Sequence, residues 1–162
     1  MSMPLHPLVE LQQRAIELQN RKRFREAIEL FEMIVKERPD WEHGSIQHNL
    51  SYCYEELHEY EKAEQCLLAA LQYDPDNPYF VSSYASFLYL HGDPCKSFDM
   101  HMRLLELEGA DSTFSPSIEF LKNLGTKIGL SDEAVNSKRD EALERYRNEK
   151  PVRLMRSPWK TQ

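Results

Sequence analysis

Apolar residues recur along this chain at helical spacing, in short runs broken by proline, glycine and charged turns. Leu11, Ala15 and Leu18 form one stripe; Phe24, Ala27, Phe31 and Ile34 form a second. Steps of three and four residues are those of an amphipathic helix. The polar run Asn20 to Arg23 between the stripes reads as a turn. Pro39 closes the second stripe, because the residue before a proline is pushed away from helical angles. The same pattern then returns. Leu50, Tyr54 and Leu57 form a stripe, followed by Ala63, Leu67, Ala70 and Leu71, with Pro75 as the stop. Phe24 pairs with Tyr60, Ala27 with Ala63 and Pro39 with Pro75, each 36 residues apart.

The later part of the chain keeps the helical period and loosens the repeat. Asn77 reads as an N-cap and Pro78 as the first helical residue. Ala85 holds the small position, Gly92 the turn, and Asp93-Pro94 repeats the cap-plus-proline signal. Phe98, Met102, Leu104 and Leu105 carry the helix that follows. Ser97, His101 and Gly109 stand where an alanine, an aromatic and a closing proline would be expected. Ser115-Pro116 reads as a further cap and first turn. Ile118, Leu121, Leu124 and Ile128 form a stripe that stops near Gly129. A last, largely polar helix starts at Ser131-Asp132-Glu133 and is expected to run to about Glu149, with Pro151 as its terminator. The remaining tail is basic and carries Leu154, Met155 and Trp159.

Small and large apolar residues in this order resemble the tetratricopeptide repeat, a unit of about 34 residues built as helix–turn–helix. From Gly44 to Asn77 the resemblance rests on Leu50, Ser51, Tyr54, Tyr60, Ala63, Ala70 and Pro75. It covers residues 8–111 as three units, 8–41, 44–77 and 78–111. The first two match well, the third is degenerate, and two residues are inserted around Glu42-His43. Small residues at Ser51 and Ala63 let paired helices approach closely. The implied fold is all-α, a short α-solenoid of about eight helices in antiparallel pairs. A single helical domain is expected over residues 8–149. Helices within 115–149 cap it, 1–7 lead into it and 150–162 form a basic tail.

The resemblance also implies a binding surface, a concave groove lined by the first helix of each repeat. In the first repeat the groove positions are Val9, Gln12, Gln13, Ile16, Gln19 and Asn20. In the second they are Ser45, His48, Asn49, Tyr52, Glu55 and Glu56. In the third they are Tyr79, Ser82, Ser83, Ser86, Tyr89 and Leu90. Among these, Gln12, Gln13, Ile16, His48, Asn49, Tyr52, Tyr79, Ser82, Ser83, Ser86 and Tyr89 are the candidate site. Amides and hydroxyls both donate and accept hydrogen bonds, and tyrosine gives large contact area at little entropic cost. The family's carboxylate clamp, which grips the acidic C-terminus of a chaperone, falls on Gln12, Ile16, Asn49, Tyr79 and Ser83. Only Asn49 matches it. Without cations the groove has nothing to offset the desolvation of a carboxylate.

Composition narrows the function further. The net charge of −7 is uneven: residues 42–111 carry thirteen acidic and three basic side chains, and residues 112–162 carry seven acidic and ten basic. An acidic middle argues against a nucleic-acid surface. The basic tail is left with three fates: docking on the acidic Glu55–Glu64 run through Trp159, reaching a second copy or a partner, or remaining unstructured. No apolar run is long enough to span a membrane, and the N-terminus lacks a secretory signal. Three cysteines without CxxC spacing fit a reducing cytoplasm. No GxSxG, P-loop, GxGxxG or HExxH motif is present. His91, Cys95 and His101, or His43 and His48, match no zinc spacing and read as scattered helix residues. The expectation is a non-enzymatic module without metal or cofactor that binds a protein or peptide segment. The alternative is a dedicated chaperone for a single client.

Overall fold

The computed structural model describes residues 6–156. Eight α-helices run in order: α1 (Pro7–Asn20), α2 (Phe24–Glu37), α3 (Ser45–Glu56), α4 (Tyr60–Tyr73), α5 (Pro78–His91), α6 (Pro94–Glu108), α7 (Ile118–Lys127) and α8 (Asp132–Arg156). A short 3₁₀ turn, Trp41–Gly44, separates α2 from α3. No strand occurs among the described residues. The fold class is therefore all-α, of the helical-hairpin type found in α-solenoids. The chain divides into two compact units between Phe80 and Val81, inside α5.

In the first unit the helices form two hairpins, α1 with α2 and α3 with α4. Both turn corners are built alike. Arg23 N–H donates to Leu18 O and Glu59 N–H to Tyr54 O, each at 2.9 Å. That is the six-to-one bond that closes a helix when the residue before it is left-handed. Lys22 (φ 60°) and His58 (φ 61°) occupy this position, 36 residues apart as the apolar pattern requires. Ala15, Ala27 and Ala63 are fully buried in the hairpins, together with Phe31, Ile34 and Ile46. Alanine at these points leaves room for helix backbones to approach, as Ser51 does at 3% exposure.

The two inserted residues lie where the repeat spacing puts them. Glu42 (φ 53°) and His43 (φ 48°) are both left-handed, and Gly44 follows at φ 98°. A Cβ on Gly44 would stand 2.9 Å from the Ala70 carbonyl oxygen, so only glycine fits this close approach. Side chains hold the bend from outside. Gln12 Nε2 donates to Glu42 (2.9 Å), and Trp41 Nε1 donates to Gln12 Oε1 (2.8 Å). Gln47 Nε2 donates to the carbonyl of Pro39 at 2.9 Å, tying the end of the first repeat to α3.

The second unit shows why its repeat pattern is degenerate. Ser97 replaces alanine and is fully buried, but its hydroxyl donates to the Ala85 carbonyl at 2.8 Å, so its polar atom is satisfied. The link between α5 and α6 is two residues long, with Asp93 capping α6 by accepting from Cys95 N–H at 2.8 Å. Gly109 (φ 79°) ends α6, and a Cβ there would come within 2.6 Å of the Tyr146 ring. Phe98, Leu105, Leu121, Leu124, Val135, Ala142 and Leu143 form this unit's core.

Two expectations are corrected here. Ser115-Pro116 does not cap α7: Ser117 does, accepting from Phe120 N–H at 3.1 Å. The Ser115 hydroxyl instead donates to the Gly109 carbonyl, which holds the α6–α7 loop. The last helix does not stop at Glu149 but continues through Pro151 to Arg156. Proline removes one backbone donor and crowds the carbonyl four residues back, against which Glu149, Lys150, Arg153 and Leu154 are good helix formers. Residues 1–5 of the lead-in and 157–162 of the tail, with Trp159, lie outside the described residues, as do the side chains of Leu154 and Met155.

Candidate functional site

In the first unit the predicted groove positions on α1 and α3 divide into structural and available residues. Gln12 is committed to Trp41 and Glu42, as above. Gln19 Oε1 accepts from the Cys53 thiol at 3.7 Å. His48 is half-buried and stacks near Phe80, with ring centroids 5.4 Å apart; burial holds its pKa below the usual histidine value. Gln13 is exposed, while Ile16 and Asn49 are half-buried. Tyr52 is 43% exposed, with its ring edge against Phe24 at 5.9 Å. Tyr79, at the start of α5, is 63% exposed. In the second unit Ser82 and Ser83 are half-buried, and Ser86 and Tyr89 are exposed. The adjacent Leu90 is 64% exposed.

Two thiols packed in the first unit are held in the unreactive protonated form. Burial pushes the Cys53 thiol up to about 12 and the Cys66 thiol up to about 11, so neither forms a thiolate near neutral pH. Tyr54, buried and donating to Glu32 across the α2–α3 contact at 2.5 Å, is also held protonated. Among the described residues no group of three His, Cys, Asp or Glu side chains is placed to hold a metal ion. His91 and Cys95 are exposed and His101 is buried. The acidic run is partly neutralised: Glu59 pairs with Lys62 of the run at 2.7 Å and with Arg25 of α2 at 3.2 Å.

The second unit carries a feature the groove pattern does not include. Ser86, Tyr89 and Leu90 of α5 face His101, Pro116 and Phe120 across a depression of about 290 Å³ with mainly apolar walls. The ring centroids of Phe120 lie 4.8 Å from His101 and 5.3 Å from Tyr89. His101 is 8% exposed, and neither of its ring nitrogens has a hydrogen-bond partner among the described residues. Desolvation lowers its pKa to about 4. At one edge Lys127 Nζ donates to Tyr89 Oη at 3.1 Å and stands 4.4 Å above the Tyr89 ring centre. A sequence signal for this place existed, namely histidine at a position where the repeat expects an aromatic.

A second depression, of about 330 Å³, lies between α6 and α8. Its cations, Arg103, Lys138 and Arg145, are matched by Asp99, Glu106 and Glu141. Arg145 pairs with Glu106 across it. Charge balance and the ion pair make it a contact between helices.

Helical hairpins in series, with paired small residues and a face of polar and aromatic side chains, define the class: an all-α repeat protein. Residues 19–87 match the tetratricopeptide repeat family model. That stretch carries tetratricopeptide repeats. Solved structures share the fold at low identity. A crystal structure of MamA aligns with a TM-score of 0.67 at 16% identity, covering 91% of this chain and 81% of that one. MamA 41-end from Desulfovibrio magneticus RS-1 aligns at 0.58 and 15% identity, covering 93% and 77%. The Yersinia enterocolitica type III secretion chaperone SycD, in complex with a peptide of the translocator YopD, aligns at 0.61 and 16% identity, covering 88% and 96%. No curated protein matches the sequence. No described helix is long and apolar enough to cross a membrane.

Proposed function

We propose that this protein is a non-enzymatic adaptor that holds a segment of another protein against its first-helix faces. In the first unit the contacting residues are Gln13, Ile16, His48, Asn49 and Tyr52, with Gln12 bracing them and Tyr79 following at the start of α5. In the second unit they are Ser82, Ser83, Ser86 and Tyr89. The observation that carries this reading is the exposure of large aromatic rings on these faces, Tyr52 at 43% and Tyr79 at 63%. Tyrosine on a solvent-facing helix surface costs apolar exposure that a partner would remove. The amides and hydroxyls beside them suit the backbone of an extended or helical segment. The three cysteines are free thiols, which fits a cytoplasmic location.

A photo-crosslinking residue placed at Tyr79, then at Met33 on α2 as control, tests the reading. Met33 is 53% exposed and is not a groove position. Crosslinks to a defined partner segment from Tyr79 and none from Met33 are expected. Equal crosslinking from both, or from neither, would overturn the groove assignment.

A second reading, a dedicated chaperone for one client, draws support from the fold shared with SycD, whose chain is covered over 96% of its length. Stoichiometry separates the two. A single client recovered at one-to-one ratio supports the chaperone, and several substoichiometric partners support the adaptor.

A further inference from the structure

α8 is 25 residues long, about 37 Å of helix, and its described core contacts lie in its earlier part. Val135, Ala142 and Leu143 enter the core of the second unit, and the Tyr146 ring lies against Gly109. Arg147, Asn148 and Glu149 are exposed, and the helix runs on to Arg156. Residues 150–162 carry Lys150, Arg153, Arg156 and Lys160 and no acidic side chain, with Leu154, Met155 and Trp159 among them. Such a segment is complemented by a surface that is acidic and apolar at once. The first unit presents one. From Ser45 to Phe80 it carries seven acidic side chains and one basic. Tyr52 and Tyr79 are exposed there, and the ring contact of His48 with Phe80 joins α3 to the start of α5. Glu55 and Glu56 follow Tyr52 by three and four residues, on the same side of α3. Burial first, and then their negative charge, raises the Tyr52 phenol above its ordinary pKa. An arginine placed here would meet both a ring face and a carboxylate.

We propose that residues 150–162 of one copy dock on the Tyr52–Tyr79 face of the first unit of a second copy, so that the protein associates head to tail. The proposal rests on the reading of that face as a binding surface and names an occupant for it. Arg153 and Arg156 meet Tyr52, Glu55 and Glu56, and Trp159 supplies a ring for Tyr79. An anionic lipid surface would attract the same segment, but the chain's net charge of −7 opposes its approach to one. A second copy is favoured by where the helix ends. Six residues follow Arg156, at most about 20 Å of extended chain, so most of the segment is carried on a helix that presents it to a neighbouring molecule. The contact is heterologous, a segment against a different surface, and leaves a free segment and a free face at the two ends of a dimer.

Sedimentation velocity of the full chain tests this. The native protein is expected to shift from monomer to larger species as its concentration rises, and high salt should weaken the association. Reversing the segment (Arg153→Glu with Arg156→Glu) or the face (Glu55→Lys with Glu56→Lys) should each weaken self-association about tenfold or more. An equimolar mixture of the two variants should form a one-to-one dimer and nothing larger, because one intact segment and one intact face remain between them. Thermal unfolding checks that each variant is folded. Arg153→Gln with Arg156→Gln should give a smaller loss in the same direction, and serves if a reversal disturbs the fold. A native protein that stays monomeric up to about 1 mM, association unchanged by both reversals, or no dimer on mixing would overturn the proposal. So would recruitment of a monomeric native protein to phosphatidylserine vesicles, which would put the segment on lipid. In each of these cases, crosslinking from Tyr79 to a different protein would leave the reading of the face standing.

Discussion

His101 is a residue whose chemistry follows from its neighbours more than from its type. Histidine replaces an aromatic of the repeat pattern, keeps the ring contact with Phe120 and adds two buried nitrogens without a hydrogen-bond partner among the described residues. Desolvation penalises its charged form, lowering the pKa from 6.5 to about 4. The unfolded chain therefore takes up a proton as pH falls through about 6.5, and the folded chain does so only near about 4. Stability attributable to this residue is present above about pH 6.5, is lost progressively between these values and is constant below. The full difference amounts to about 3 kcal/mol. His48 is shifted in the same direction and adds to the slope. Denaturant unfolding of the native protein at pH 7 and pH 4.5 should show this loss, and His101→Phe should remove the larger part of it. An equal loss in the variant would assign the pH dependence to other groups.

At the scale of elements, the hairpin turns and junctions decide which parts of the fold the sequence reveals. The two well-matched repeats were legible because Phe24, Ala27 and Pro39 recur as Tyr60, Ala63 and Pro75, and the αL turns at Lys22 and His58 keep the same spacing. The insertion at Glu42-His43 was legible from the 36-residue step, though not the left-handed backbone it adopts. The α7 cap was misplaced because Ser115-Pro116 and Ser117 offer the same local signal. Their hydroxyl contacts distinguish them: Ser115 donates to Gly109, and Ser117 accepts from Phe120 N–H. The end of α8 was misplaced because proline is a strong stop by propensity but an incomplete one by structure. Of the candidate site, the exposed rings were legible from repeat position. The engagement of Gln12 was not, and of the His101 depression only the histidine itself was a signal, since both depend on contacts with residues distant in sequence.

The α7–α8 crossing gives the element-scale prediction. Gly125 is buried on α7, and a Cβ there would lie 2.4 Å from Val135 Cγ2. Alanine would be the better helix former by about 1 kcal/mol, but overpacking a crossing of this kind costs about 1–3 kcal/mol. The β-branched Val135 has little freedom to yield. Gly125→Ala is thus expected to lower the melting temperature, and Gly125→Ala with Val135→Ala to show a favourable coupling between the two sites. A melting temperature raised by Gly125→Ala alone would contradict the close packing of these helices.

For the whole molecule, the tetratricopeptide repeats supply hairpins whose interior is held by small and apolar residues, and whose faces are free to vary. The net charge of −10 over residues 42–111 lies on a chain whose candidate contact residues are uncharged. Recognition on these faces would then rest on aromatic contact and amide hydrogen bonding, with charge steering the encounter. Surface ion pairs such as Lys62–Glu59 contribute about 0–1 kcal/mol each, so they shape the field more than the stability.

The claim that the first-helix faces bind a protein segment is tested most directly by the double variant Asn49→Ala, Tyr52→Ala, measured for capture of the crosslink-identified partner and for thermal unfolding in parallel. Asn49→Ala with Tyr52→Phe, which preserves the ring contact with Phe24, serves as the variant that keeps packing intact. The account predicts capture weakened about tenfold or more in the double alanine variant. Loss in the phenylalanine variant should be smaller but measurable, with its melting temperature unchanged. Full capture by a folded double alanine variant would contradict it.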